Sequence, residues 1–318
     1  MELAPAAATD LIRLADETRA FLIAAKAENT LRAYRADWEH FQAWCRRHAL
    51  SWLPATPETV ALYITDLAAS HKPATLRRRL TVIGRAHQTA GHPSPASMHQ
   101  PLVSETLKGI RRTLGTAQDG KRPLSTGDVL AMVDALPGTL QGVRDRALLL
   151  VGFAGGFRRS ELAGLQIADV AVENDGLAIV LRRSKTDQEG QGRRVGIPYG
   201  SRPETCAVHA YREWVVAAAL RDGPVFREID RHGRVQGKAL HKDSVGMIVK
   251  RAAGRAGFDP ADYAGHSLRA GLATQAYLNG ANELAIMKQT GHRSLATVRK
   301  YIRESSLFRD NAAAKLGL

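Results

Sequence analysis

The chain has 318 residues, with 45 Lys and Arg against 31 Asp and Glu, for a formal charge of +14. That length suits two domains of ordinary size, and the surplus of cations points to a polyanionic partner, because each phosphate contact releases counterions condensed on a nucleic acid. Two isolated cysteines, Cys45 and Cys206, exclude a disulfide framework and a structural zinc site and fit a reducing cytoplasm. The longest apolar run, 147–157, is too short and glycine-broken to span a membrane, and the alanine-rich start carries Glu2 and Asp10, unlike a secretory signal. A soluble, cytoplasmic protein is expected.

In chain order, residues 10–113 read as consecutive helices. Leu11, Leu14, Ala15, Phe21 and Leu22 give helical spacing over 10–25. A second helix starts at Asn29 or Thr30 and runs to about His48, burying Tyr34, Trp38, Phe41 and Trp44. Thr56-Pro57-Glu58 is a cap followed by proline at the first helical position, opening a helix through Ala68. Pro73 opens a fourth, apolar at Leu76, Leu80 and Ile83, and Ser104 a fifth ending at Arg111-Arg112. Residues 1–114 form this first domain, and the glycine-bearing stretch 115–124 is its linker to the second domain, 125–318. The second domain begins with helices near 126–136, 141–154 and 160–165. Its period then changes: 177–182 and 194–198 read as paired strands around a polar turn. Helices resume at 205–220, 242–256, 266–278, 282–289 and 294–302, with a short one at 308–316.

Charge follows this division. Residues 1–66 sum to −2, residues 67–120 to +6 and the remainder to +10. A basic surface that begins at one helix is more simply a nucleic-acid face than general solubilisation.

Four clusters set charged or polar residues beside glycine where a plain core would be apolar: Gly156-Phe157-Arg158-Arg159-Ser160-Glu161, Ser184-Lys185-Thr186, Gly265-His266-Ser267-Leu268-Arg269, and Thr290-Gly291-His292 with Tyr301 nine residues on. That set suits phosphodiester chemistry without a metal. Guanidiniums grip non-bridging oxygens and stabilise the charge of the pentavalent transition state. A tyrosine, with an ordinary pKa of about 10, needs help to deprotonate. A lysine protonates a departing sugar oxygen, and a histidine moves protons near neutral pH.

On these motifs the chain resembles the tyrosine recombinases of the phage-integrase type, over nearly its whole length, and its layout is most similar to Cre-type members. Arg158 fits the first arginine, Glu161 its acidic companion and Lys185 the lysine of the β-hairpin. His266-x-x-Arg269 fits the His-x-x-Arg box, His292 the His/Trp position and Tyr301 the nucleophile. Cre-type members carry tryptophan where this chain has His292. The resemblance implies a mainly α fold: a helical, SAM-like core-binding domain, then an α+β catalytic domain with a small antiparallel sheet, together clamping duplex DNA. It implies that Tyr301 attacks one strand, leaving a 3′-phosphotyrosine. Arg158, Arg269 and His292 would hold the phosphate, Lys185 would be the general acid, and His266 would assist at the tyrosine or support the phosphate. No cofactor or metal is implied. The partner is double-stranded DNA with inverted repeats, bound by a homotetramer on two sites from a chain monomeric when free. The segment 306–318 would couple neighbouring subunits, and the enzyme would work at the nucleoid.

Taken singly, each residue has a plainer reading. Arg158 could be an exposed helix-start arginine, His266 and Arg269 a cap and an ion-pair partner, Tyr301 core packing, and Lys185 merely solvated beside Lys121, Arg182 and Arg183. Six matches in order outweigh these. For the DNA grip, Arg32, Arg77, Arg78 and Arg79 are expected from the first domain and Lys242, Lys250 and Arg251 from the second, against the alternative of a solvated basic face. The rival functions are DNA relaxation of the type IB topoisomerase kind, and a DNA-binding regulator without activity.

Overall fold

The computed structural model describes residues 13–14, 17–18, 28–116, 120–182, 192–303 and 316. The chain divides into two compact units, Met1–Asp119 and Gly120–Leu318. Most of the expected first helix, the turn with Lys185, and nearly all of the segment 306–318 lie outside the described residues.

The first unit is helical: α1 (Glu28–Arg47), α2 (Pro57–Ala68), α3 (Pro73–Thr89) and α4 (Pro101–Leu114). The Thr56 hydroxyl accepts from Thr59 N, and Pro57 fills the first helical position, where its missing N–H leaves no bond unmade. Pro101 does the same for α4, so that helix begins three residues before Ser104. The core gathers Phe41, Trp44, Tyr63, Ile64, Leu76 and Ile83. Its polar groups are satisfied internally: Trp44 Nε1 donates to Asp66 Oδ2 at 2.7 Å, and His87 Nε2 accepts from Ala55 N at 2.8 Å.

One expectation fails here. Three consecutive arginines cannot share a helix face, because successive residues are about 100° apart. Arg77 and Arg78 are exposed, but Arg79 lies on the same side as Leu76, Leu80 and Ile83 and is only 7% exposed. Its guanidinium donates to Tyr63 Oη at 2.8 Å and lies 3.5 Å from Asp37. Arg79 is therefore an internal strut of the domain and not part of a DNA face. Arg78 donates from Nε and Nη2 to the two carboxylate oxygens of Asp37, at 2.7 and 2.9 Å.

The second unit starts earlier than the linker reading implied. Arg122 N donates to Asp262 O and Leu124 N to Ser267 O, and Leu124 is buried. Ser125 and Asp128 then form a capping box that opens α5 (Thr126–Asp134). There follow α6 (Leu140–Gly155), α7 (Arg159–Gly164), a sheet of β1 (Val170–Glu173), β2 (Gly176–Leu181) and β3 (Arg193–Pro198), and α8 (Ala207–Ala217). Next come a hairpin of β4 (Arg227–Ile229) and β5 (Val235–Ala239), then α9 (Lys242–Arg255), α10 (Gly265–Leu278), α11 (Glu283–Thr290) and α12 (Leu295–Arg303). The sheet is antiparallel in the order β1-β2-β3, with Ile179 opposite both Val170 and Val195. Strands β1, β4 and β5 were not expected; each is short and has no buried residue, so hydrophobic alternation gives no signal there. Among the described residues no helix is long and apolar enough to cross a membrane.

The last three helices close over a small core of their own: Ala273, Ile286, Val298 and Ile302, with Tyr301 packed on its edge. Arg299 adds a two-pronged ion pair to Glu283, at 2.9 and 3.0 Å. Because this cluster is separate from the main core, Val298→Ala should loosen α12 selectively. Hydrogen exchange of amides 295–303 should speed up while that of α6 and α8 stays protected; a uniform acceleration would contradict the separation.

Candidate active site

The site is assembled on two glycine-made breaks in helices. At the end of α6, Gly156 takes a left-handed conformation, with φ of 59°, and turns the chain so that Arg158 becomes the N-cap of α7. Glu161, three residues on and buried, reaches back. One carboxylate oxygen accepts from Arg158 N at 2.9 Å and the other from its Nη1 at 2.5 Å. This is the capping-box geometry turned to another use: the acid that satisfies the helix start also holds the arginine's head. Glu161 thus touches the site through Arg158.

Arg269 projects from α10 into the same space. It is 1% exposed, and Nη1 donates to the Gly156 carbonyl at 2.7 Å. Its Nη2 is buried with no hydrogen-bond partner among the described residues. Burial, with Arg158 beside it, pulls its pKa down to about 10, so it remains charged at neutral pH. A charged donor left open in a buried pocket is a strong anion ligand.

On the first turn of the same helix, His266 Nε2 lies 2.7 Å from the phenolic oxygen of Tyr301. Burial, then Arg269 and Arg158, push the His266 pKa down, so the ring is neutral near pH 7. In the tautomer that carries its proton on Nδ1, Nε2 accepts from the phenol. Burial raises the Tyr301 pKa while Arg269 and Arg158 oppose that rise. The phenol is thus protonated at rest, and the groups that favour the phenolate already face it.

The second break follows α11. Gly291, with φ of 67°, is its left-handed cap, and Gly291 N and His292 N both donate to Met287 O. The buried Thr290 hydroxyl donates to Ile286 O at 2.6 Å and lies 2.7 Å from His292 Nδ1. With its proton committed, that oxygen accepts from Nδ1–H, which leaves Nε2 of His292 for the site. Burial and the nearby arginines drive the His292 pKa to about 3. The His292 and Tyr301 rings lie 5.6 Å apart.

The structure therefore brings together Arg158, Glu161, His266, Arg269, His292 and Tyr301. Lys185 lies outside the described residues. The expected DNA contacts do not form one set. Arg32 is exposed and paired with Glu28 on its own helix. Lys242 begins α9, next to Asp243, which pairs with Arg159 at 3.1 Å over the start of α10. Lys250 and Arg251 sit toward the other end of α9, and Arg251 lies 3.8 Å from the buried Asp145. Nine residues at about 100° each set Arg251 roughly half a turn round from Lys242, so those two cannot share a face. Residue-by-residue reading gave no role to Thr290, which aims His292, and missed Arg193, which reaches Glu161 and α11. The alternation of β3 carried a signal for Arg193, since it shares a face with Val195 and Ile197.

Comparison with known proteins identifies the family. The phage integrase family matches residues 122–306, and the phage integrase N-terminal SAM-like domain matches residues 19–92. The chain belongs to the phage integrase family: it is a tyrosine recombinase, an enzyme that breaks and rejoins DNA. It is 40% identical to an integrase/recombinase XerD homolog of Selenomonas ruminantium, over 96% of this chain and 90% of that one. It is 28% identical to the tyrosine recombinase XerC of Myxococcus xanthus, over 92% and 93%. Among solved structures it resembles XerH bound to its palindromic difH substrate, with a TM-score of 0.62, 18% identity and coverage of 83% and 73%. It also resembles a lambda integrase dimer bound to a core site, with a TM-score of 0.56, 15% identity and coverage of 90% and 93%. These two likenesses concern the fold. The sequence relatives carry Xer names, which do not specify the Cre-type layout expected above.

The lowered histidine pKa values have a consequence with a definite sign. A group whose folded pKa lies below its unfolded value makes the unfolded state bind more protons between the two, so stability falls as pH drops through that window. For His292 the window runs from about 6.5 down to about 3. An NMR titration of the DNA-free protein should find the His292 ring neutral at pH 5, and His292→Gln should flatten the loss of thermal stability below pH 6. A His292 titration near pH 6.5 would contradict the buried, arginine-flanked environment.

Proposed function

We propose that this chain is a site-specific recombinase that cuts and reseals DNA through Tyr301. The observation that carries the reading is the 2.7 Å contact between Tyr301 Oη and His266 Nε2 beside two arginines, one of them open and almost wholly buried. In the cleavage step the phenolic oxygen forms a bond to phosphorus as its proton passes to His266. The bond from phosphorus to the 5′-oxygen breaks, giving a 3′-phosphotyrosine and a 5′-hydroxyl. Arg158, Arg269 and, once protonated near the phosphate, His292 hold the non-bridging oxygens. Lys185 supplies the proton to the departing 5′-oxygen, a role that rests on its place in the motif order. Resealing runs the same steps backward with a 5′-hydroxyl from another duplex as nucleophile, because the phosphotyrosine keeps the energy of the broken bond.

Recombination then needs two rounds of strand exchange through a Holliday junction, by four protomers on two sites with inverted repeats. The free chain is a monomer in this reading, and segment 306–318 joins neighbours. Units Met1–Asp119 and Gly120–Leu318 each contribute to DNA binding. Arg32, Arg77 and Arg78 serve from the first, Lys242 and Lys250 from the second, chiefly through phosphate, which places the enzyme at the nucleoid.

A nicked suicide substrate tests this, since loss of the 5′ fragment traps the covalent complex. Wild-type protein should form a denaturant-resistant adduct. Tyr301→Phe should form none while its DNA affinity stays within about threefold of wild type, because a single uncharged oxygen contributes little to phosphate-dominated binding. An adduct from Tyr301→Phe would overturn the assignment. Relaxation of plasmids without paired sites, and no exchange between paired ones, would favour the topoisomerase reading instead.

A further inference from the structure

Arg193 is the first residue of β3, and the mechanism above does not use it. Strand alternation puts its side chain on the face of Val195 and Ile197, both buried, while Arg194 turns outward toward Glu173. A guanidinium sent to that face must find partners or carry a desolvation penalty. Arg193 Nη1 donates to the Gln289 carbonyl at 2.7 Å, in the last turn of α11. Its Nη2 lies 3.5 Å from Glu161 Oε2, the oxygen that accepts from Arg158 N. Its Nε and Nη2 are buried without a hydrogen bond among the described residues. Gly291 admits it, since a Cβ there would stand 2.7 Å from Arg193 Nε. Gly291 is thus needed for its left-handed backbone and for this close approach.

We propose that Arg193 is a positioning residue that fixes the two halves of the phosphate site against each other. On one side it reaches Glu161, which orients Arg158. On the other it grips the helix end from which Gly291 and His292 hang. These halves come from distant parts of the chain, and no hydrogen bond among the described residues joins Glu161 to α11 directly. Arginine suits the task because its planar fork addresses both sides at once; a lysine ammonium is a single point on a flexible stem. Arg193 and Arg158 share one carboxylate, which keeps two like charges close together. Such an arrangement is retained more readily for geometry than for stability.

The proposal rests on reading Arg158 and His292 as phosphate ligands. Its test is the single-turnover cleavage rate on the suicide substrate at saturating DNA, for Arg193→Lys, Arg193→Met, Glu161→Gln and the double variant Glu161→Gln/Arg193→Met. Misplacement of a reacting group by about 1 Å slows a reaction roughly 100-fold, so Arg193→Lys and Arg193→Met should each lose on that order while their DNA affinity holds. The double variant should be little slower than the worse single one, because both act through one contact. Arg193→Lys keeps the charge, so if Arg193→Met fails to fold the lysine variant decides alone. A lysine variant that cleaves at the wild-type rate overturns the proposal, as do losses that multiply in the double variant or that merely track the folded fraction. A wild-type protein that makes no adduct overturns the site reading first, and this proposal with it.

Discussion

Everything at this site depends on burying arginines around one carboxylate. Arg158, Arg193 and Arg269 surround Glu161, which is itself buried, while the flanking histidines are held neutral. Three guanidiniums against one carboxylate leave two positive charges in a half-buried pocket, where water screens them only in part. A phosphodiester brings one negative charge and an attacking phenolate another. The free pocket therefore carries an excess of positive charge that a bound phosphate reduces, and in the proposed mechanism the same field favours the Tyr301 phenolate. An electrostatic deficit in the free protein becomes stabilisation of the reacting state.

The fold pays for this deficit with local geometry. Gly156 and Gly291, both left-handed, end α6 and α11 where Arg158 and His292 must emerge, and the carbonyls left at those ends are the acceptors for Arg269 and Arg193. Helix C-termini carry partial negative charge, so unsatisfied carbonyls there hold cations without adding a full anion. A second carboxylate in their place would cancel the field that the phosphate needs. Tyr301, the proposed nucleophile, is held differently. Its helix is anchored by Val298 and Ile302 on a separate small core, with an exposed ion pair between Arg299 and Glu283.

Much of this was legible because chemistry left marks on the sequence: polar residues beside glycines, at helix starts, in a fixed order. Arg158, the His266-x-x-Arg269 pair and the interval from His292 to Tyr301 each sit where a helix begins or breaks, and capping rules place such points well. Arg79 was misread because a run of three arginines looks like one feature, while helical geometry sends its members in different directions. Arg193 escaped because the expected strand began one residue later, at Arg194, which left Arg193 in the polar turn. Thr290 carries no signal in its own residue type; only the hydrogen-bond chain through Ile286 O and His292 reveals it. Short, exposed strands such as β4 and β5 leave too few residues for any period to show.

The central claim is that one chain carries a complete site: Tyr301 meets His266 and faces Arg158 and Arg269 of its own chain. Mixing two inactive variants measures this directly. Tyr301→Phe keeps the arginines without the nucleophile, and Arg269→Ala keeps the nucleophile without the arginine. Combined on a suicide substrate, they should form no more covalent adduct than either alone, because no protomer in the mixture holds both parts. Adduct restored in the mixture to a substantial fraction of the wild-type yield would contradict the account, since Tyr301 would then be acting on a phosphate held by a neighbour.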